Sequence, residues 1–361
     1  TIMRVLELYS GIGGMHYALQ ESGVKGDVIA AIDINNIAND VYRNNFPDVF
    51  LMNRNIQSVS IQEINDLDVD TILMSPPCQP FTRVGLQKDT LDNRSSSLFH
   101  ILDLIPQMTT LKYILVENVK GFEKSDTRNA LIKCISDCGF NYKELILSPC
   151  QFGIPNSRHR YYLLAKKKDI QFCFDNCELE FNLSDNVSIL LPQSKHSLLA
   201  EECGTDNLKT GKKCYTLVNV LEKVEVSQYL IPKKLLHKRA WVLDIRTAQC
   251  NGSCCFTKAY GHYVEGTGSV YCPYSEETVK EKYIEANKYE KHSVEALEVL
   301  QELLLRYFTP REVARLMCFP EHFVFPNHIT CKQKYRLLGN SINVHVVSRL
   351  IFLLHCERKV T

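Results

Sequence analysis

The chain is 361 residues long, 45% hydrophobic and 23% charged, with a formal net charge of +1, which excludes a disordered or fibrous protein and leaves room for one large globular domain or two modest ones. A charge so near zero also excludes a global positive field, so any nucleic acid would have to be held by a local basic patch. No apolar run of membrane-spanning length stands out and the first residues read as a strand, so no membrane partner is expected, and the expected compartment is the cytoplasm, with the nucleus as a further one.

Residues 4–9 (RVLELY) read as a buried strand, and Ser10-Gly11-Ile12-Gly13-Gly14 turns it into a helix with Met15, Ala18 and Leu19 on one face. Glycines there let a ligand approach the backbone and leave amide donors free at the helix start. Their positions, 11, 13 and 14, depart from the dinucleotide fingerprint, which argues against NAD. Residues 28–32 form a second apolar strand ending in Asp33, a carboxylate placed either for the ribose hydroxyls of a nucleoside cofactor or to cap the helix that follows. Residues 49–52 read as a third strand, and 53–57, with Ile56 and Gln57, as a loop on the adenine side.

Residues 70–73 form a short buried strand leading into Met74-Ser75-Pro76-Pro77-Cys78-Gln79-Pro80-Phe81-Thr82. Three prolines in five residues stiffen that loop, and a stiff loop past a strand's carboxyl end can aim a thiolate. Residues 83–97 are polar, a lid or a solvated loop, and 98–108 show helical spacing. A further strand at 113–116 ends in Glu117-Asn118-Val119, so a nucleophile loop and an acid loop leave neighbouring strand ends. Residues 127–138 read as a helix closed by Gly139, 145–147 as a strand, and 158–165 as a strand whose first residues, Arg158 and Arg160, lie two apart on one face. Two guanidinium groups so placed could reach one oxygen target.

From Lys166 to about Tyr289 the strand runs thin out and basic groups recur, which reads as a smaller second domain. Within it, Cys255-Phe256-Thr257-Lys258-Ala259-Tyr260, with the glycines after it, mixes aromatics and a base in a way suited to gripping an extruded nucleotide. Residues 294–307 read as an amphipathic helix, Thr309-Pro310-Arg311-Glu312 as a capped helix start, and 344–355 as a last helix after Gly339-Asn340-Ser341, docked beside the first strand. The fifteen cysteines are odd in number and scattered, so reduced thiols are expected, with no metal site.

The glycine turn, Asp33, the proline-proline-cysteine-glutamine loop, Glu117-Asn118-Val119, Arg158 with Arg160, and Gly339-Asn340-Ser341, in that order over nearly the whole chain, resemble the cytosine-5 methyltransferase family. The resemblance implies an α/β fold: a Rossmann-like class I S-adenosylmethionine-dependent methyltransferase with a smaller inserted target-recognition domain, 1–165 and 305–361 being catalytic and 166–304 the insertion. It implies S-adenosylmethionine as cofactor, leaving as S-adenosylhomocysteine, in a pocket lined by Ile12, Gly13, Gly14, Asp33, Ile56, Gln57, Ser75, Asn340 and Ser341. Cys78 would be the nucleophile, Glu117 the acid on the base, and Arg160, with Arg158, the holder of the base carbonyl. Cys255, Phe256, Thr257, Lys258 and Tyr260 would contact substrate. Within the family, the Cys255-Phe256-Thr257 tripeptide and compact insertion are similar to those of the branch acting on tRNA, which implies an anticodon-loop cytosine, position 38 of aspartate tRNA. DNA is the weaker partner, allowed by the same catalytic residues; a non-catalytic nucleic-acid-binding homologue is the second alternative.

Overall fold

The structure, a computed structural model, describes residues 2–77, 96–174, 179–192, 197–200, 213–223, 225 and 227–357. Seven strands form the main sheet: β1 (Met3–Leu8), β2 (Gly26–Asp33), β3 (Phe50–Asn53), β4 (Thr71–Met74), β5 (Tyr113–Val119), β6 (Phe140–Leu147) and β7 (Arg160–Lys167), in the order β3-β2-β1-β4-β5-β7-β6. β1 to β5 are parallel, and β7 runs antiparallel to both β5 and β6.

The central strands β1, β4, β5 and β7 are buried over most of their length because both faces are covered, whereas β3 at the sheet edge leaves Phe50 exposed. Successive side chains go to opposite faces. Leu73, Tyr113 and Leu115 pack with α1 (Gly14–Ser22) and α13 (Val344–His355), whereas Ile72, Met74, Ile114 and Val116 pack with α4 (Ser96–Leu104) and α5 (Asp126–Asp137). Between these elements the chain forms α2 (Asn36–Asn45) and α3 (Ile61–Asp66), and after β7 the short α6 (Asp185–Leu190) and α7 (Ser197–Ala200).

Register brings the chemistry-bearing residues to one edge. Leu8 pairs with Ile32 and Met74, and Met74 with Val116, so the turn after β1, Asp33, Ser75 and Glu117 leave the sheet together. Because β7 is antiparallel, its first residue, Arg160, lies opposite Val119 at that same edge.

A second sheet joins β8 (Ile245–Arg246), β9 (Val270–Tyr271) and β10 (Arg306–Tyr307), with α8 (Lys233–Arg239), α9 (Glu276–Ala286) and α10 (Val294–Gln301) around it. The helix expected over 294–307 therefore stops short. Leu303 and Leu305 are buried while Leu304 between them is 47% exposed with φ +50°, so the burial pattern switches from helical to two-residue spacing. Arg306 and Tyr307 then pair with Tyr271 and Val270, which carries the small sheet past the expected boundary at 304.

The expected capped start is α11 (Pro310–Leu316), where Thr309 and Glu312 form a reciprocal capping box. Glu312 is fully buried, takes two bonds from Arg306 at 2.8 and 2.9 Å, and accepts the Glu222 amide at 3.1 Å. α12 (Cys331–Asn340) and α13 follow, and α13 lies chiefly on α1, β5 and β7, in one apolar cluster with Met3 and Val5 of β1. Taken together, Cys331–His355 are long and apolar enough by length and composition to cross a membrane, contrary to the sequence expectation, but the most apolar 18-residue part of that stretch is 78% buried inside the protein. Ser341 caps the end of the first helix and Asn343 the start of the second, so it is two core helices.

Replacing Glu312 by alanine leaves the Arg306 guanidinium buried without its carboxylate. Stability is expected to fall by about 3–5 kcal/mol, read as a lowered urea midpoint with an unchanged slope.

Candidate active site

On the cofactor side, the turn after β1 is held to the end of β2 by one carboxylate. Asp33 Oδ2 accepts the Gly11 amide at 2.9 Å and Oδ1 the Asn35 amide at 2.8 Å. Helix α2 is capped by Asn35, whose side chain accepts from Ile37 and Ala38, so the capping alternative for Asp33 falls. Burial pushes the Asp33 carboxyl up, and the backbone amides hold it back. A carboxylate offers about four acceptor positions, so hydroxyl donors still find room.

Gly13 has φ +86°, and a Cβ there would lie 2.5 Å from the Phe46 ring; at Gly14 it would lie 2.8 Å from Ile342 and 3.0 Å from Ser341 Oγ. Neither position admits a side chain without movement. Phe46 stacks on His16 with ring centroids 3.7 Å apart, and Tyr42 links His16 to the buried Glu7, whose carboxyl burial pushes up to about 8. Ile12 and Ile56 are buried, Ser75 half-buried, Gln57 and Asn340 exposed. A carboxylate at the end of β2, amides at a side-chain-free helix start and flanking apolar residues suit a nucleoside cofactor such as S-adenosylmethionine.

The other half of the site gathers around Glu117, at 7% exposure near the end of β5. Desolvation raises its carboxyl, opposed by the charges of Arg160 and Arg158. Arg160 Nε stands 3.4 Å from Glu117 Oε1, and Arg160 Nη1 donates to the His159 carbonyl. Asn118 Nδ2 donates to the Pro76 carbonyl at 3.4 Å, tying the start of the proline-cysteine loop to the acid strand. Cys78 lies outside the described residues.

Arg158 does something different from the shared oxygen contact expected of it. It is 3% exposed, and its guanidinium donates to the Phe256 carbonyl at 3.1 Å, the Gly339 carbonyl at 3.1 Å and the Ser341 carbonyl at 2.5 Å. It therefore joins three segments far apart in sequence. A Cβ on Gly339 would lie 2.3 Å from the backbone of Thr257 and Lys258, so only glycine lets that loop lie on α12.

Two expected substrate contacts are corrected. Phe256 is 1% and Tyr260 2% exposed, and they pack edge to face on one another at 4.9 Å. The Tyr260 hydroxyl donates to the Ser269 carbonyl at 2.6 Å and accepts the Phe308 amide at 2.8 Å. Both aromatics build the loop from beneath. Lys258 is exposed, and Thr257 and Cys255 are half-buried. Sequence reasoning missed Asn156, which donates to Ser253 Oγ at 3.1 Å and the Cys254 carbonyl at 2.9 Å and so anchors the same loop. Its one sequence signal is an asparagine directly after Pro155, where the chain must turn before β7.

A lysine at 158 cannot serve three diverging carbonyls with a planar fork. Arg158→Lys is expected to cost about 2–3 kcal/mol and to speed hydrogen exchange in both 254–260 and 339–343, with Arg160→Lys doing so far less; equal losses in the two variants would contradict this.

The sequence profile described as C-5 cytosine-specific DNA methylase matches residues 3–354. The human tRNA (cytosine(38)-C(5))-methyltransferase is 44% identical over 98% of this chain and 99% of its own length. A Dictyostelium discoideum protein named DNA (cytosine-5)-methyltransferase is 39% identical over 98% of this chain and 94% of its own. The crystal structure of a Spodoptera frugiperda DNMT2 mutant superposes with a TM-score of 0.85 at 42% identity, covering 98% of this chain and 99% of that one. With an edge-clustered acid, two arginines and a nucleoside-suited turn on this fold, the chain belongs to the C-5 cytosine methyltransferase family, S-adenosylmethionine-dependent enzymes.

Proposed function

We propose that this protein methylates carbon 5 of the anticodon-loop cytosine at position 38 of aspartate tRNA, through a covalent adduct with Cys78. The observation that carries the reading is Glu117 held beside Arg160 at 3.4 Å on the sheet edge where the Pro76-Pro77-Cys78 loop begins, in a chain whose 44% identical human relative is named for C-5 methylation of tRNA cytosine 38. S-adenosylmethionine, held by Asp33, the glycine turn, Ile12, Ile56, Gln57, Ser75, Asn340 and Ser341, supplies an electrophilic methyl group.

The protein's own residues solve the remaining problem, which is that carbon 5 of cytosine is a weak nucleophile. Addition of the Cys78 thiolate to carbon 6 breaks the ring's aromaticity and places electron density on carbon 5. Glu117, with its carboxyl raised by burial, carries the proton that nitrogen 3 takes as this density shifts. Arg160 holds the base carbonyl oxygen, and Arg158 fixes the backbone around it. Once carbon 5 carries the methyl group, loss of its proton to a solvent base expels Cys78 and restores the aromatic ring, and the nitrogen-3 proton returns to Glu117. The ring must leave its stack for this to happen, and an unpaired loop makes that cheapest, which favours an anticodon loop over a duplex. Exposed Lys258, on the loop seated on Gly339, is available for the RNA backbone. A tRNA target places the work in the cytoplasm or nucleus.

Labelled methyl from S-adenosylmethionine is expected to enter aspartate tRNA, not the same tRNA with cytosine 38 replaced, and only weakly duplex DNA. Cys78→Ala should abolish transfer and Glu117→Gln lower it by about 10²–10⁴. Label chiefly in DNA would overturn the substrate, and full activity in Cys78→Ala would overturn the mechanism.

A further inference from the structure

The cluster around Glu117 carries more positive charge than its carboxyl can offset. Two guanidinium groups, Arg158 and Arg160, are largely removed from water, and the carboxylate that faces them among the described residues is Glu117. If Glu117 holds the proton it gives to nitrogen 3, that carboxyl offsets neither. Buried like charges without an anion are costly. Tyr162 also faces the cluster, but burial holds its phenol well above the usual range, so it stays neutral.

Among the described residues, what remains is Cys255. Its Sγ lies 3.5 Å from Arg158 Nη1 and 3.9 Å from Arg160 Nη2, at the meeting point of the two guanidinium groups. The Phe256 carbonyl is a poor alternative partner for the thiol, standing 3.9 Å from Sγ and already taken by Arg158 at 3.1 Å. We propose that Cys255 is a resident thiolate, the counter-anion of the Arg158–Arg160 pair, and that its charge is what leaves Glu117 free to hold its proton. Cys255 is on this account a positioning residue and not a second nucleophile. The inference rests on the reading of Glu117 as the acid.

The electrostatics agree with the geometry and separate two adjacent thiols. Burial pushes Cys255 up, but Arg158 and Arg160 together bring it below the ordinary thiol range. Cys254, next in the chain, is raised, by burial and by Asp244. On the other side of the contact, burial would lower Arg160, and the charges of Cys255 and Glu117 hold it up.

The test begins in the Cys78→Ala protein, which removes the competing active-site thiol. Iodoacetamide labelling of Cys255, mapped by peptide mass against pH, is expected to reach half its maximal rate below the ordinary thiol midpoint of about 8.5, and Arg160→Gln is expected to move that midpoint upward. A midpoint at or above the ordinary value overturns the proposal. The second arm follows methyl transfer to tRNA in protein that retains Cys78. Cys255→Ser removes the anion, so Glu117 becomes the sole offset for two cations and loses its proton at lower pH. The alkaline decline of the rate should then move acidward by about one pH unit or more, while Cys255→Asp keeps the wild-type profile. An unmoved profile in Cys255→Ser overturns the link to Glu117. A low labelling midpoint in a protein that transfers no methyl to any nucleic acid sustains the counter-anion and removes the proposed function instead.

Discussion

One guanidinium group, that of Arg158, ties the site together. Burying it is costly unless its fork is satisfied, and the fold satisfies it with carbonyls from Phe256, Gly339 and Ser341. Because those acceptors belong to the loop at 255–258, to the last turn of α12 and to the link into α13, one buried charge fixes all three relative to the start of β7. Ser341 in turn abuts Gly14 at the head of α1. The turn after β1, the C-terminal helices and the loop at 255–258 are thus in one continuous chain of contacts, closed where Gly339 lets the backbone of Thr257 and Lys258 lie flat.

The sheet supplies the other constraint. Parallel strands bring the turn after β1, Asp33, Ser75 and Glu117 to a common edge, and the reversed direction of β7 delivers both arginines to it from the opposite sense. Acid and cations therefore approach one another from two strands that are hydrogen-bonded neighbours, where small shifts are resisted by the ladder. Desolvation at this edge raises Glu117, and the arginines limit the rise. A carboxyl poised in this way can exchange a proton, whereas one fully paired to a single arginine would stay ionised.

Much of this could be read from the sequence because it is local. Glycines where φ is positive, a carboxylate closing an apolar strand, threonine with proline and glutamate at a helix start, and prolines around a cysteine each act within a few residues. The structure has Asp33 holding Gly11 and Glu312 completing the Thr309 box accordingly. What could not be read depends on partners far away. Phe256 and Tyr260 look like stacking platforms until Phe308 and Ser269 are seen to occupy them. Residues 294–307 keep an apolar helical spacing, yet Arg306 is drawn off into the small sheet by Tyr271 and Glu312. Arg158 and Arg160 share a sequence face, but only one of them begins the strand, and their guanidinium groups serve different ends. Asn156 escaped notice because its role is to hold Ser253 and Cys254, almost a hundred residues on.

We propose that the nucleophile comes from the loop after β4 and that the thiol between the arginines is not one. Aspartate tRNA carrying 5-fluorocytosine at position 38 tests it directly, since fluorine at carbon 5 cannot leave as a proton does and the enzyme stays bound to the ring. With S-adenosylmethionine present, a covalent protein–RNA species is expected whose cross-linked peptide contains Cys78. A cross-link mapped to Cys255, or release of the RNA with no adduct while unmodified tRNA is methylated normally, would contradict it.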